Sequence, residues 1–374
     1  MSSRRNSTRR SILHAPDAHA RRVPAANAFR ADILAIGLNA TDTLIRVPRF
    51  PAFDSKTRIL SSCVLPGGQA ATAAVACRRW GLCSRYVGKI GDDDAGRLQR
   101  EEFAREGVEV HLLEVTNCAS QLAFIIVDQA TGERTILWQR DDRLDLCPEE
   151  LPREWIRGAR LIHVDGHPCA PAAAAARWAH EAGATVTADL DNIYPGVEEL
   201  LEHVDFMVGS RDFPERLLGA SNLFESLPEI TRRFGCSVAG ATLGRDGVLA
   251  WDGTRFHYCP AFQVETVDTT GAGDVFHAGF AYALLRSDTL PAILEFSCAA
   301  AALNCAALGA RGGIRPRPEI EKLRHDGSRH ERLFADEELR RESARATSSF
   351  AKAPVAAAID SRRKVAMKHT SSKK

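Results

Sequence analysis

From Arg160 onward the chain alternates short apolar runs with helical stretches, and that rhythm restricts its fold more than any other feature. Leu161-Ile162-His163-Val164 precedes the Ala-rich stretch Pro171 to Ala182, and Thr185 to Ala188 and Phe206 to Val208 follow as strands. Ser237 to Thr242 and Gly247 to Trp251 read as further strands, and Asp274 to Arg286 and Pro291 to Leu308 as helices. Repeated strand-then-helix order implies a mostly parallel sheet with helices on both faces, a doubly wound α/β fold. Ligands in such folds bind beyond the carboxyl ends of the strands.

The first half has a second character. Ile33 to Ile36, closed by Gly37, has the look of a buried strand, and Ala70 to Trp80 reads as a helix. Thr43 to Val47, Thr57 to Val64, Leu122 to Val127 and Arg134 to Gln139 instead alternate apolar and polar residues. Such strands have one face in a core and the other over something less apolar, which suits a small second sheet or lid. The body is therefore expected over residues 31–324, with lid strands within about 41–66 and 119–140.

Charge marks the ends. Residues 1–30 hold seven arginines and one acid, Asp17, with no apolar run long enough for a signal peptide or membrane span. Residues 325–374 are again polar and basic, and both ends are expected to be disordered because they cannot bury enough apolar surface. The formal net charge of +1 and a body without any nucleic-acid module point to neither nucleic acid nor membrane as a partner. Ten cysteines lie at irregular positions with no C-x-x-C pair, as expected of small core residues in a reducing cytoplasm, and none is assigned to a metal.

The chemistry concentrates in Val267-Asp268-Thr269-Thr270-Gly271-Ala272-Gly273-Asp274-Val275-Phe276-His277-Ala278-Gly279-Phe280. Small residues at 271 to 273 let the backbone turn tightly and point successive N–H groups at one place. A helix starting there adds its positive dipole end, so the nest suits charge developing on a phosphoryl group. Asp274 at its mouth can accept the proton of an attacking hydroxyl. Alone, the string equally suits an ordinary Gly-rich helix start. It is neither a Walker loop nor a dinucleotide fingerprint.

This string resembles, almost letter for letter, the C-terminal signature of the ribokinase-like (PfkB) carbohydrate kinases. Pro66-Gly67-Gly68-Gln69-Ala70-Ala71-Thr72 resembles that family's N-terminal Gly-Gly motif, Gly88 to Gly96 its G-x-x-G-x-D-x-x-G segment, and Thr242-Leu243-Gly244 with Gly247 its nucleotide-side loop. The resemblance spans roughly residues 32 to 323. It implies a ribokinase-like α/β domain with a small β lid over the sugar, a lid that often also forms a homodimer contact. It implies ATP with Mg²⁺ as phosphoryl donor and, in many members, K⁺ near the anion hole. Gly271, Ala272, Gly273 and Asp274 would form that hole, with Asp274 as base, and Asp268 and Thr270 would stand at the monovalent-ion position. Thr242, Gly244 and Gly247 would contact ATP.

On the same footing Asp42, Gly67, Gly68, Gln69 and Thr72 would face the sugar, and Asp165, past a strand's carboxyl end, is expected there too. Thr72 and Gln69 depart from the family's usual Asn and Asn or Lys. Ser210-Arg211-Asp212-Phe213 departs from its N-x-x-E motif, which puts the holding of Mg²⁺ in doubt. Asp54 to Ser61 and Arg134 to Leu137 resemble ketohexokinase, and Gly68 to Ala76 resembles sulfofructose kinase. A ketose or sugar-acid acceptor is therefore expected, with ribokinase or nucleoside kinase activity, or a non-catalytic sugar sensor, as alternatives. Arg140 could meet an anionic substituent or simply face water.

Overall fold

In a computed structural model of the protein, the structure describes residues 30–131 and 134–352. Thirteen strands are present among them: β1 (Ala31–Ile36), β2 (Ala40–Val47), β3 (Ser61–Gly67), β4 (Ser84–Gly91), β5 (Glu109–Val115), β6 (Leu122–Asp128), β7 (Arg134–Gln139), β8 (Ala159–Val164), β9 (Thr185–Leu190), β10 (Phe206–Gly209), β11 (Val238–Thr242), β12 (Val248–Trp251) and β13 (Phe256–Cys259). Nine of them form one sheet in the order β13-β12-β11-β10-β9-β8-β1-β4-β5. It is parallel except where β12 pairs antiparallel with β11 and β13.

The core explains why this sheet is stable. β1 and β8 are apolar on both faces, and one layer of buried side chains packs on each side. The Ala-rich helices Gln69–Arg79 and Cys169–Glu181 lie on opposite faces, where small side chains let a helix approach the strands closely. β1 is the switch point, since the chain runs outward from it to β4 on one side and to β8 on the other. A crevice at the carboxyl ends of β1 and β8 follows from that reversal.

The other four strands form a separate sheet in the order β3-β2-β6-β7. Leu44, Ile125 and Val127 on its inner face make a small cluster with Cys63, Leu65 and Leu308. The alternation read in the sequence thus marks a lid, although β3 begins at Ser61, later than expected.

One expectation fails. Residues 325–374 are not uniformly unstructured, because Asp336–Lys352 is a helix docked on the body. Leu339 and Ala346 are buried on one face of it, and Ser343 Oγ accepts from Phe256 N at 2.9 Å. Phe334, just before it, packs edge-on against Phe224 and Tyr258. A few apolar residues at helical spacing suffice to dock an otherwise charged segment, and average composition hides them. The Arg-rich segment before residue 30 and the basic end after 352 lie outside the described residues. Among the described residues no helix is long and apolar enough to cross a membrane.

Candidate active site

The site is assembled where the lid meets the carboxyl ends of β1, β8 and β9. Gly37 ends β1 with a Cβ position that would overlap the Asp165 carboxylate, so the two segments meet only because residue 37 is glycine. Asp165 accepts from Leu38 N at 2.6 Å, Ala70 N at 3.2 Å and His167 N at 3.0 Å. Its oxygens thus hold the turn after β1 and the start of helix Gln69–Arg79. Burial keeps its acidity below that of a free carboxyl, raising its pKa.

Asp42, on the inner face of β2, is 6% exposed and lies against Gly67, where any Cβ would strike its carboxylate. Burial raises its pKa to about 6, against the pull of Arg311. Gly68, at φ 93°, turns the chain into the helix that begins at Gln69. Gln69 Oε1 is buried and unpartnered among the described residues, as is the side-chain nitrogen of Asn39. A native interior rarely leaves such atoms unsatisfied, and a polyhydroxylated ligand would satisfy both.

Helix Ala272–Leu285 starts at Gly271, whose φ of 72° and close approach to Ala310 both require glycine. Ala272 N donates to Thr269 O at 3.2 Å, while the amides of Gly273 and Asp274 have no acceptor among the described residues. Gly273 is exposed, and a Cβ there would meet nothing within 4 Å. These amides and the helix dipole leave an open place for negative charge beside the Asp274 carboxyl.

Asp274 sits in a crowd of like charge. Burial, then repulsion from Asp189, Asp42 and Asp165, raises its pKa to about 8, with Arg311 acting the other way. Asp189, at the end of β9, is itself held ionised despite its burial by His277, at 3.1 Å and one helical turn beyond Asp274. His163 stands beside His277, and its burial pushes its pKa down to about 3, so it is neutral.

Arg311 is the countercharge the sequence reading missed. It is 5% exposed and donates to Gly67 O at 2.7 Å and Thr72 Oγ1 at 3.2 Å, with Glu102 at 3.5 Å. Burial lowers its pKa to about 10 although Asp42 and Asp274 favour its charge. Thr72 is fully buried with its hydroxyl taken by Arg311, so it lies behind the Gly-Gly turn and not on the open face of the site. Arg140 is likewise occupied, by Asp145 at 2.9 Å, Gln121 at 3.0 Å and Leu144 O at 2.8 Å.

Thr242 closes β11, and Gly244 and Gly247 shape the turn after it with φ of 62° and 95°. Arg245 from that turn, Thr266, Val267 and Thr269 from the loop before Gly271, and Arg134 to Ile136 of the lid line one cavity of about 1160 Å³. Arg134 also bonds Thr269, so the lid rests on that loop. Phe213 is fully buried under Gly209, a core residue where a metal-binding acid was looked for. Among the described residues no three His, Cys, Asp or Glu side chains group so as to hold a metal ion. In the Gly88–Gly96 segment Asp93 caps helix Asp94–Glu106 through Gly96 N and binds Ser120.

A carbon-13 titration of the Asp274 carboxyl should show a midpoint near pH 8, and Asp189→Asn should move it down. A midpoint near the ordinary value of about 4 would rule this electrostatic arrangement out.

Comparison with known proteins agrees with the geometry. The family model for pfkB family carbohydrate kinases matches residues 30–316. An ATP-dependent ribose-1-phosphate kinase of Halopiger xanaduensis is 31% identical over 75% of this chain and 93% of its own. A ribokinase of Bacillus subtilis is 29% identical over 78% of this chain and 99% of its own. The crystal structure of a ribokinase from Thermotoga maritima superposes with a TM-score of 0.68 at 24% identity, over 79% of this chain and all of that one. The chain belongs to the pfkB family of carbohydrate kinases.

Proposed function

We propose that the protein transfers the γ-phosphoryl group of ATP to a hydroxyl of a small sugar, with Asp274 as the base. The observation that carries this reading is the meeting of three things: the Asp274 carboxyl, the open amides of Gly273 and Asp274, and the Asp42 carboxylate against Gly67, two residues before unpartnered Gln69. A sugar held by Asp42, Asn39 and Gln69 would present one hydroxyl to Asp274. The carboxylate takes the hydroxyl proton, the oxygen bonds to the γ-phosphorus, and the bond from that phosphorus to the ADP oxygen breaks. Charge spreading over the phosphoryl oxygens is met by the helix amides, which need not reorganise. A base whose pKa lies near the working pH is strong enough to take the proton yet is partly ionised.

ATP would enter with Mg²⁺ through the cavity under Arg134, which Arg245 of the turn shaped by Gly244 and Gly247 also lines, and would reach Thr242 from there. Mg²⁺ would be bound mainly through the phosphates and water, with few ligands from the protein.

A ketose fits the acceptor site better than a sugar acid. Arg140, the cation looked to for an anionic substituent, is fully engaged by Asp145, Gln121 and Leu144, whereas Asp42 and Gln69 offer acceptors for hydroxyls. A tomato fructokinase, 30% identical over 66% of this chain, supports that choice. The relatives named for ribose and ribose 1-phosphate favour a ribose-type acceptor as the second reading.

The outer face of the lid supports a homodimer. Val64, Thr43, Phe124 and Leu137 form one row across its four strands, with Val64, Phe124 and Leu137 each more than 40% exposed. A second lid covering this row would bury it.

Asp274→Asn should keep affinity for ATP and sugar while turnover falls by roughly 10²–10⁴-fold, the usual worth of a general base. Turnover within tenfold of the parent would remove Asp274 from that role. Light scattering should give twice the mass of one chain for the parent and one chain's mass for Phe124→Asp. A monomeric parent would dismiss the lid dimer.

A further inference from the structure

Family resemblance places a monovalent cation at Asp268 and Thr270, and the residues there do not fit one. Asp268 is 1% exposed, and each of its oxygens already accepts from the protein. Oδ1 accepts from Thr270 N at 2.9 Å and from Thr270 Oγ1 at 2.7 Å, and Oδ2 accepts from Gly309 N at 2.8 Å. The hydroxyl of Thr270 is directed to Asp268, and the Thr270 carbonyl is the other oxygen that residue could turn to an ion.

That carbonyl is taken as well. Asn304, at the end of helix Leu290–Cys305 and fully buried, donates one N–H to Thr270 O at 3.1 Å and the other to Ala310 O at 3.1 Å. Its Oδ1 accepts from Gly313 N at 3.1 Å, which fixes the amide's orientation and with it the direction of both donors. A Cβ on residue 313 would lie 2.4 Å from the Asn304 Cα, so this approach is possible only with glycine there.

We infer that the Asn304 amide takes the place of the monovalent cation, so that the protein binds and needs none. Two convergent carbonyls from two loops need positive charge between them, and the partly positive NH₂ group supplies it. A cation seated between Thr270 O and Ala310 O would overlap that group. The amide also does the mechanical work of an ion. It ties the end of one helix, the loop that leads into Gly271, and the 309–313 turn that backs Gly271 into one unit. Because the unit is covalent to the fold, it forms whether or not salt is present.

The inference concerns the anion hole of the proposed kinase reaction, but its test does not depend on that reaction. Thermal unfolding of the full chain would be followed in potassium, ammonium and tetramethylammonium chloride at equal ionic strength. The parent midpoint should be the same in all three salts. Asn304→Ala should unfold at a lower temperature and then be stabilised, saturably, by potassium or ammonium, as a ligand that binds only the folded state must do. Saturable stabilisation of the parent by potassium overturns the inference, and so does a folded Asn304→Ala protein indifferent to all three salts. If that variant does not fold, calorimetric titration of the parent with potassium chloride decides, with no binding heat expected. Failure of the protein to phosphorylate any sugar would leave these readings as they stand.

Discussion

Four carboxylates are gathered at one end of the sheet, and the rest of the structure is arranged to keep them there. Asp42 comes from the lid, Asp165 and Asp189 from the ends of β8 and β9, and Asp274 from the start of a helix. Asp189, Asp42 and Asp165 each raise the cost of ionising Asp274, and burial raises that cost for Asp42, Asp165 and Asp274 alike. They are held by different means. Asp165 accepts three backbone N–H groups, Asp189 pairs with His277, and Asp42 and Asp274 share the field of Arg311. Asp42, at about 6, and Asp274, at about 8, are left poised to change charge on either side of neutral pH.

Arg311 and Asn304 are the two side chains on which this arrangement turns. They sit at the end of one helix and in the turn after it, seven residues apart. Arg311 reaches forward to the Gly-Gly turn and fixes the floor of the proposed sugar site. Asn304 reaches sideways to Thr270 and fixes the loop that leads to the anion hole. One short segment thereby ties the Gly-Gly turn to the loop before Gly271. Arg311 is further tied to Glu102, which also pairs with Arg105, so a short network holds the guanidinium in place.

Much of this could be read from the sequence, and the reason is locality. The parallel sheet follows from strand-helix rhythm, the lid from alternation, and the Gly271–Asp274 turn from residue types whose conformational demands are local. What escaped is long-range. Thr72 was expected to face the sugar, but its hydroxyl is claimed by a guanidinium 239 residues further along the chain. Asn39 lay between two residues that were singled out, yet only its unpartnered nitrogen marks it. Phe213 could be excluded as a metal ligand by its chemistry, but its place in the core needed the fold. The docked helix Asp336–Lys352 was missed because Leu339 and Ala346 are too sparse to register in composition.

The most direct measurement is phosphorus NMR of the full chain with ATP and Mg²⁺, offered one sugar at a time from a set that includes fructose, ribose and ribose 1-phosphate. The account predicts that with one acceptor the γ-phosphate signal converts to that of a sugar phosphate ester, matched by ADP in equal amount. Conversion to inorganic phosphate regardless of sugar, from folded protein that binds ATP, would contradict it.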